Sequence, residues 1–277
     1  MGQTDAQRLP FMKMHGLGND FVVLDARAQA IDVTKTVAVA LGDRRRGIGF
    51  DQLALIENGS DSYHLRFWNS DGTTAAACGN ATRCIARYLM KESGNDQIHL
   101  TTARGDIYAL DAGNGATSVN MGQPQLLWNE IPLAEEMDTL ALPIDGNPVA
   151  TGMGNPHCTF FVDDAEVEDL EEYGTKFEHH PLYPERTNVQ IASLKAPEKL
   201  RVRVWERGVG VTLASGSSSC AVAVAAVRRG ITDRQVSVEL DGGVLEVDWR
   251  EDGVWMTGPT THVCDGEITV DFLEALK

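Results

Sequence analysis

Two short segments of this 277-residue sequence place a side chain capable of proton transfer directly before a glycine. The first segment carries Cys78 before Gly79, and the second carries Ser215 before Gly216. Each is followed by a stretch with the composition of a helix. The first N–H groups of a helix lack intrahelical partners and mark the positive end of its dipole, so they favour an anion placed there. We therefore expect acid/base chemistry and carboxylate binding at these two positions.

The two segments belong to an internal repeat. The matching pieces are Arg66-Phe67-Trp68 with Arg203-Val204-Trp205 and Ala77-Cys78-Gly79 with Ala214-Ser215-Gly216, both at an offset of 137 residues, and Gly18-Asn19 with Gly154-Asn155 at an offset of 136. A repeat of this kind predicts a duplicated fold with two similar halves. The plainer alternative is that both turns are ordinary strand-to-helix connections whose glycine permits a positive φ.

The elements that must position these residues are short strands around two helices. Helices are predicted at 80–90 and 217–229, and the second is apolar on all sides, as expected of an enclosed helix. Alternation of apolar and polar residues predicts strands at 62–68, 97–101, 106–110, 118–121, 200–204, 235–240, 244–249 and 253–257. The apolar runs 21–24 and 158–162, which follow the repeated Gly-Asn, are predicted as strands too. The polar, proline-containing segment 127–143 is expected to cross between the halves.

The fold class predicted is α+β, with two pseudo-symmetric halves, each a strand-rich, barrel-like unit around a central helix. Residues 1–122, joined by the C-terminal segment 266–277, are expected to form the first half, and residues 123–265 the second. The active site is expected in the cleft between them.

The composition of the sequence argues against several classes of binding partner and favours one cellular location. The net charge of −16 argues against nucleic acid and against anionic membranes. Residues 1–10 lack the apolar core of a signal peptide, and five cysteines are an odd number for a disulfide framework, so we expect a cytoplasmic protein. The histidines show no ligand spacing, and His179 and His180 are interpreted as solvated surface, so no metal is expected. The partners expected are a small amino-acid substrate and a second copy of the chain in a homodimer.

Cys78 is the strongest single candidate for chemistry. A helix N-terminus lowers the pKa of a thiol, so Cys78 is expected to act as a thiolate. The other four cysteines, Cys84, Cys158, Cys220 and Cys264, fit the interpretation of small buried hydrophobic residues. Inverting a stereocentre requires a base on one face of a carbon and an acid on the other. Two equivalent sites from two similar halves would meet that requirement, and the sequence shows no dinucleotide or pyridoxal signature.

Several motifs in order along the chain resemble those of the diaminopimelate epimerase family, and the resemblance runs nearly end to end. The motifs are 13–21 (Lys-Met-His-Gly-Leu-Gly-Asn-Asp-Phe), 47–52 (Gly-Ile-Gly-Phe-Asp-Gln), 69–72 (Asn-Ser-Asp-Gly), 77–84 (Ala-Cys-Gly-Asn-Ala-Thr-Arg-Cys), 154–157 (Gly-Asn-Pro-His), 186–188 (Arg-Thr-Asn) and 206–208 (Glu-Arg-Gly). The resemblance implies cofactor-independent interconversion of LL- and meso-diaminopimelate, in lysine and peptidoglycan-precursor synthesis.

The resemblance also implies roles for individual residues. Cys78 would be one acid/base, and His157 and Glu206 would lie near the reacting groups. The residues implied to bind substrate are Asn19, Gln52, Asn69, Asn155, Asn188, Glu206 and Arg207, with the backbones of Gly79, Asn80, Gly216 and Ser217 holding the reacting carboxylate. Each has a structural alternative: asparagine beside glycine is common in turns, Glu206 could form a surface ion pair, and His157 could be a core histidine.

One position departs from the family pattern. The second catalytic cysteine of the family falls at position 215, where this chain has Ser215. A hydroxyl is a much weaker acid than a thiol, and loss of a positioned acid/base costs about 10²–10⁴-fold in rate. We therefore expect an impaired epimerase. Two origins compete: a deliberate thiol-to-hydroxyl replacement, made to trap a ligand or to prevent a disulfide, and a natural variant.

Two other functions compete with this interpretation. The first is a racemase of another amino acid on the same fold, for which the distal residues Asn69, Asn155, Asn188 and Arg207 would not be needed. The second is a catalytically dead diaminopimelate-binding homologue, for which Ser215 is the only support.

Overall fold

The computed structural model describes residues 8–276, which form 17 strands and five helices. The signal-peptide expectation rests on residues 1–10, and residues 1–7 of that segment lie outside the described residues. Two compact units are present: Ser118–Pro259 forms one, and the chain before and after that segment forms the other. The α+β class and the strand-rich, two-unit organisation predicted from the sequence are confirmed. No helix within residues 8–276 has the length and apolar character needed to cross a membrane.

The first unit contains most of the N-terminal elements and the C-terminal ones. They are β1 (Leu9–Gly16), β2 (Asn19–Asp25), α1 (Lys35–Gly42), β3 (Gln52–Asn58), β4 (Tyr63–Asn69), β5 (Thr74–Ala75), α2 (Gly79–Ser93), β6 (Gln97–Thr102), β7 (Gly105–Gly113), β17 (Thr261–Ile268) and α5 (Val270–Glu274). Strand β8 (Ala116–Asn120) spans the point where the second unit begins.

The second unit contains the remaining elements. They are β9 (Val149–Gly152), β10 (Pro156–Phe161), α3 (Leu170–Phe177), β11 (Asn188–Ala196), β12 (Lys199–Glu206), β13 (Gly210–Thr212), α4 (Gly216–Arg228), β14 (Gln235–Leu240), β15 (Gly243–Arg250) and β16 (Gly253–Pro259).

The strands pair in the same order in both units, which is the structural form of the sequence repeat. In the first unit β1 is antiparallel to β2, β2 is parallel to β3, β3 is antiparallel to β4, β4 is parallel to β6, and β6 is antiparallel to β7. In the second unit the same series runs from β9 through β10, β11, β12 and β14 to β15. The short strands β5 and β13 pair equivalently with β4 and β12.

Each series of strands encloses one helix. Helix α2 contacts β1 and β2 as well as β6 and β7, which lie at opposite ends of its series. Helix α4 contacts β9, β10, β11, β12, β14, β15 and β16. Residues 218–226 of α4 are all buried, which explains why this helix is apolar on all sides. The position of each helix start is therefore fixed by the strands packed around it.

The structure differs from the sequence predictions in four respects. Helices α1, α3 and α5 were not predicted. Helix α2 runs to Ser93, three residues beyond the predicted end, and most strands are one to three residues longer. Residues 127–143 lie inside the second unit and do not cross between halves, because Ile131 and Leu142 are fully buried in its core. Cys264 is exposed on β17, so its interpretation as a buried hydrophobic residue was wrong.

Candidate active site

Cys78 and Ser215 occupy the same position relative to their helices. Each is the N-cap, with φ/ψ of −145°/108° for Cys78 and −136°/121° for Ser215. The backbone carbonyl of Cys78 accepts from Thr82 N at 2.9 Å, and that of Ser215 accepts from Ser219 N at 3.0 Å. The two turns are thus equivalent in backbone conformation as well as in sequence.

The two N-cap side chains differ in what they do. The Cys78 Sγ accepts a hydrogen bond from Ala81 N at 3.5 Å. Donation from an N–H group at the positive end of a helix favours the thiolate over the thiol. Among residues 8–276 the Ser215 hydroxyl makes no capping hydrogen bond, and Ser219 Oγ donates to the Ser215 carbonyl instead, at 2.8 Å.

The amides of Gly79 and Asn80, and of Gly216 and Ser217, open the first turns of α2 and α4. Like the first N–H groups of any helix, they have no intrahelical carbonyl to bond. Each pair can therefore donate hydrogen bonds to one or more carboxylate oxygens of a ligand.

The first unit brings together four of the predicted binding residues in two pairs. Gln52 Nε2 donates to Asn69 Oδ1 at 2.9 Å, and these residues are register partners on β3 and β4. Asn80 Nδ2 donates to Asn19 Oδ1 at 3.1 Å, which ties the start of β2 to the start of α2. Within each pair, the hydrogen bond fixes the orientation of the accepting amide, because its oxygen must face the donor.

Two carboxylates and two cations clamp the start of β2 to the start of β3. Arg44 Nη2 lies 2.7 Å from Asp20 Oδ1 and 2.8 Å from Asp51 Oδ1, and Lys13 Nζ donates to Asp20 Oδ2. Asp51 Oδ2 accepts from Asn19 Nδ2 at 2.9 Å, so the clamp orients Asn19, a residue predicted to bind the substrate. Burial raises the pKa of Asp20, but hydrogen bonds from Arg44 and Lys13 outweigh it and lower that pKa to about 2.

A buried guanidinium supports the same helix start from inside. Arg83 is fully buried, and its Nη1 donates to Asn80 Oδ1 at 2.8 Å. A Cβ at Gly16 would lie 2.9 Å from Arg83 Nη2, so this position of β1 needs glycine for lack of space. Arg83 thus fixes the Asn80 side chain, which in turn holds Asn19.

The second unit brings together Asn155, His157 and Asn188. His157 Nε2 lies 3.0 Å from Asn155 Oδ1, and Asn188 is the register partner of His157 on the parallel strand β11. Asn188 Nδ2 donates to Pro156 O at 3.0 Å, while its Oδ1 accepts from Arg207 N at 3.0 Å. His157 is buried, whereas Asn155 is half-buried.

Glu206 and Arg207 lie at the end of β12, in a turn held by a buried carboxylate. Glu178 Oε1 accepts from Gly208 N at 2.9 Å, and Oε2 accepts from Trp205 Nε1 at 2.7 Å. Arg207 Nη1 donates to the backbone oxygen of Glu185 at 2.8 Å, which aligns the guanidinium. The side chain of Glu178 is 6% exposed, so these two bonds are sheltered from water, and Arg186 Nη1 also donates to Oε1 at 3.4 Å.

Sequence reasoning missed the residues that support these side chains: Asp20, Asp51, Arg83, Glu178 and Gln190. The available signal was a charged or amide residue within an otherwise apolar element, such as Gln190 within the buried stretch 188–193. The family motifs quoted above include Asp20, Asp51 and Arg83, but the sequence alone assigned them no role. Among the described residues no group of three or more His, Cys, Asp or Glu side chains is placed to hold a metal ion.

Replacing Asp20 by Asn tests the clamp through its pH dependence. The ionised Asp20 has a pKa of about 2 in the folded protein against 3.8 ordinarily, which corresponds to about 2 kcal/mol of stability. This contribution is complete above pH ~4 and is lost as the pH falls toward ~2. We expect Asp20→Asn to lower the free energy of unfolding by about 2 kcal/mol or more at pH 7, and by less as the pH approaches 3.

Urea unfolding of the parent and the variant between pH 3 and 7 measures this difference. Asp61→Asn is the control, because Asp61 is exposed. A stability loss for Asp20→Asn that does not change with pH would contradict the ionic origin of the clamp.

Glu178→Gln tests the support of the turn that carries Arg207. Gly208 N–H and Trp205 Nε1–H both donate to the Glu178 carboxylate. In the variant, the NH2 group lies against one of these two N–H groups, which then loses its acceptor. We expect a loss of about 1–3 kcal/mol in the free energy of unfolding. Glu185→Gln is the control, since Glu185 is exposed and only its backbone oxygen holds Arg207. Equal stability of both variants would refute the role given to Glu178.

Alkylation rates test the thiolate character of Cys78. Burial raises the pKa of Cys84 to about 11 and that of Cys158 to about 12, so neither thiol should react near neutral pH. We expect iodoacetamide at pH 6.5 to modify Cys78 before Cys264, which is exposed but lies on a strand. Peptide mass spectrometry over time measures both rates. Modification of Cys264 first would show that the helix start does not activate Cys78.

Comparison with known proteins places this geometry in a family. The family model described as diaminopimelate epimerase matches residues 11–127 and 149–263. A diaminopimelate epimerase from Acidiphilium cryptum is 48% identical over 95% of this chain and 98% of its own length. One from Phenylobacterium zucineum is 48% identical over 94% of this chain and 97% of its own length.

Solved structures with low sequence identity share the fold. A probable proline racemase from Agrobacterium radiobacter superimposes with a TM-score of 0.68 at 12% identity, over 94% of this chain and 93% of that one. A predicted epimerase from Pseudomonas aeruginosa gives a TM-score of 0.66 at 19% identity, over 94% and 99% of the two chains. With the family match over both units and these close relatives, the chain belongs to the diaminopimelate epimerase family.

Proposed function

We propose that this protein is an isomerase that epimerises LL-diaminopimelate to meso-diaminopimelate without a cofactor, and that Ser215 impairs it. The observation that carries the proposal is the equivalence of Cys78 and Ser215 as N-caps of the two enclosed helices. Relatives named diaminopimelate epimerase, at 46–48% identity over most of the chain, support the choice of substrate.

The reaction needs two groups that exchange a proton with the α-carbon on opposite faces. In this proposal Cys78 is one of them, as a thiolate supported by the donation from Ala81 N. Position 215 is the other, where a thiol would deliver a proton to the carbanion. The Ser215 hydroxyl gives up a proton far less readily than a thiol, so that step is slow in this chain.

The substrate carboxylate next to the reacting carbon is proposed to bind the amides of Gly79, Asn80, Gly216 and Ser217. Negative charge that develops on this group during proton removal is stabilised by N–H groups already in place. In this proposal the amides stabilise the charge without a cation at the reacting centre.

The distal end of diaminopimelate carries an ammonium and a second carboxylate. Arg207 is proposed to bind that carboxylate, because a guanidinium fork matches two oxygens. Asn69, Asn155 and Asn188 offer amide donors and acceptors to the same end, and Asn19 and Gln52 complete the set. His157 and Glu206 are proposed to tune the protonation of the reacting groups, and Thr212 Oγ1 holds Glu206 through a hydrogen bond of 2.9 Å.

A cytoplasmic location and a homodimer remain predictions from the sequence. The five cysteines are all free thiols, which suits a reducing compartment. Sedimentation of the purified chain would establish its oligomeric state.

Ser215→Cys tests the proposal. With LL-diaminopimelate in deuterated water, we expect deuterium exchange at the α-carbon to be about 10²–10⁴-fold faster in the variant than in the parent chain. Ser217→Cys is the matched control: it adds a thiol in the same helical turn, keeps the backbone amide, and should remain as slow as the parent.

Each other outcome identifies a different function. Equal and rapid exchange by parent and variant would show that position 215 need not be a thiol. Binding of diaminopimelate by calorimetry with no exchange in either form would favour an inactive binding protein, the second candidate that Ser215 supports. Turnover of proline but not of diaminopimelate would favour a racemase of another substrate.

A further inference from the structure

A line of buried polar side chains in the second unit runs from the core to Asn155. Gln190 on β11 is fully buried, and its side chain lies between His157 on β10 and Ser218 in the first turn of α4. Thr159 is the register partner of Gln190 across the parallel strands. Residues two apart on a strand point to the same face, so His157 and Thr159 both face this amide.

The hydrogen-bond capacity of each group sets the direction of the line. Thr159 Oγ1 donates to Gln190 Oε1 at 3.2 Å, so the oxygen end of the amide faces Thr159. The nitrogen end then faces His157 Nδ1 at 3.0 Å and Ser218 Oγ at 3.1 Å, and its two hydrogens serve both. Because an amide NH2 only donates, His157 Nδ1 must accept with its lone pair. The ring proton therefore belongs on Nε2, which donates to Asn155 Oδ1 at 3.0 Å.

We propose that Gln190 is a positioning residue: it fixes His157 as the Nε2–H tautomer and thereby turns the NH2 group of Asn155 toward the substrate. The benefit to binding rests on the proposed function, in which Asn155 contacts diaminopimelate. An asparagine that presents its NH2 group offers two donors to a carboxylate, whereas the reversed amide would present an oxygen to it. Gln190 also donates to Ser218 in the first turn of α4, so the orientation of the Asn155 amide is linked to the helix that begins after Ser215.

Direct observation of the tautomer tests the inference. Long-range ¹H–¹⁵N correlation spectra of the full chain, labelled at histidine, report which ring nitrogen carries the proton, and the His157→Gln variant identifies the resonance. We expect the parent to show the Nε2–H tautomer of His157. The variant Gln190→Glu replaces the donor by a carboxylate that can only accept, so we expect the proton on Nδ1 there.

A matched pair of threonine variants isolates the polar line from general effects of mutation. Thr159→Val removes the O–H that orients Gln190 and is expected to add the Nδ1–H form. Thr151 is the register partner of His157 on β9, and its buried Oγ1 has no hydrogen-bond partner among the described residues, so Thr151→Val should leave the tautomer unchanged. An Nδ1–H tautomer in the parent, or no shift of the proton in Gln190→Glu, would overturn the inference without any variant needing to be active.

A binding measurement separates this inference from the proposed function. By calorimetry we expect Gln190→Glu to weaken diaminopimelate binding about tenfold or more, because a hydrogen bond to a charged group is lost. Unchanged affinity in this variant, with the tautomer shifted, would refute the link from His157 to the Asn155 amide. If the parent shows the Nε2–H tautomer but binds no diaminopimelate, the proposed function fails and the assignment of the tautomer stands.

Discussion

Both units share one physical constraint, the first turn of a helix that is enclosed by strands. Its leading amides have no carbonyl to bond, and because the helix is surrounded, those amides must find a partner in a side chain, water or a ligand. Cys78 provides one such partner to Ala81 N. The strands around α2 and α4 hold these turns in place, and Asn19 at the start of β2 is bonded to Asn80 in the first turn of α2.

Both units orient one asparagine from the inside, but with different groups. Asn19 Oδ1 accepts from Asn80, which Arg83 holds, whereas Asn155 Oδ1 lies against His157, which Gln190 holds. The duplicated turn has thus kept its backbone while its supporting residues have diverged. Arg83 is a buried cation, and the matching position of α4, 137 residues later, is Cys220. Two similar turns can therefore present different electrostatic surroundings to a bound ligand.

The repeat and the alternation of residues were enough to predict the fold class, the two enclosed helices α2 and α4, and most strands. They are local or periodic signals, and they survive in a single sequence. The bounds of α2 were harder, because its last turn continues to Ser93 and the chain ends the helix at Gly94, which adopts a left-handed conformation with φ of 73°. Cys264 was misplaced because residues 261–265 of β17 are exposed on both faces, and the sequence did not show that this part of the strand is uncovered.

Motifs named the residues of the candidate site from the sequence, whereas the contacts that join distant strands could not be predicted. Glu178 and Gln190 act on residues more than 25 positions away, through parallel pairings and a turn that no local pattern encodes. The role of each residue depends on which atom of its amide or carboxylate faces a given partner. Such directional information appears only when the partners have been brought together in the folded chain.

The return of β17 to pair with β1 has a consequence for biosynthesis. Strand β1 pairs with β2 on one edge and with β17 on the other, and the whole segment Ser118–Pro259 is made between them. As the chain leaves the ribosome, the second unit is complete before β17 exists, so it can fold as a unit while one edge of β1 stays open. The first unit, although it is synthesised first, is the last to be finished.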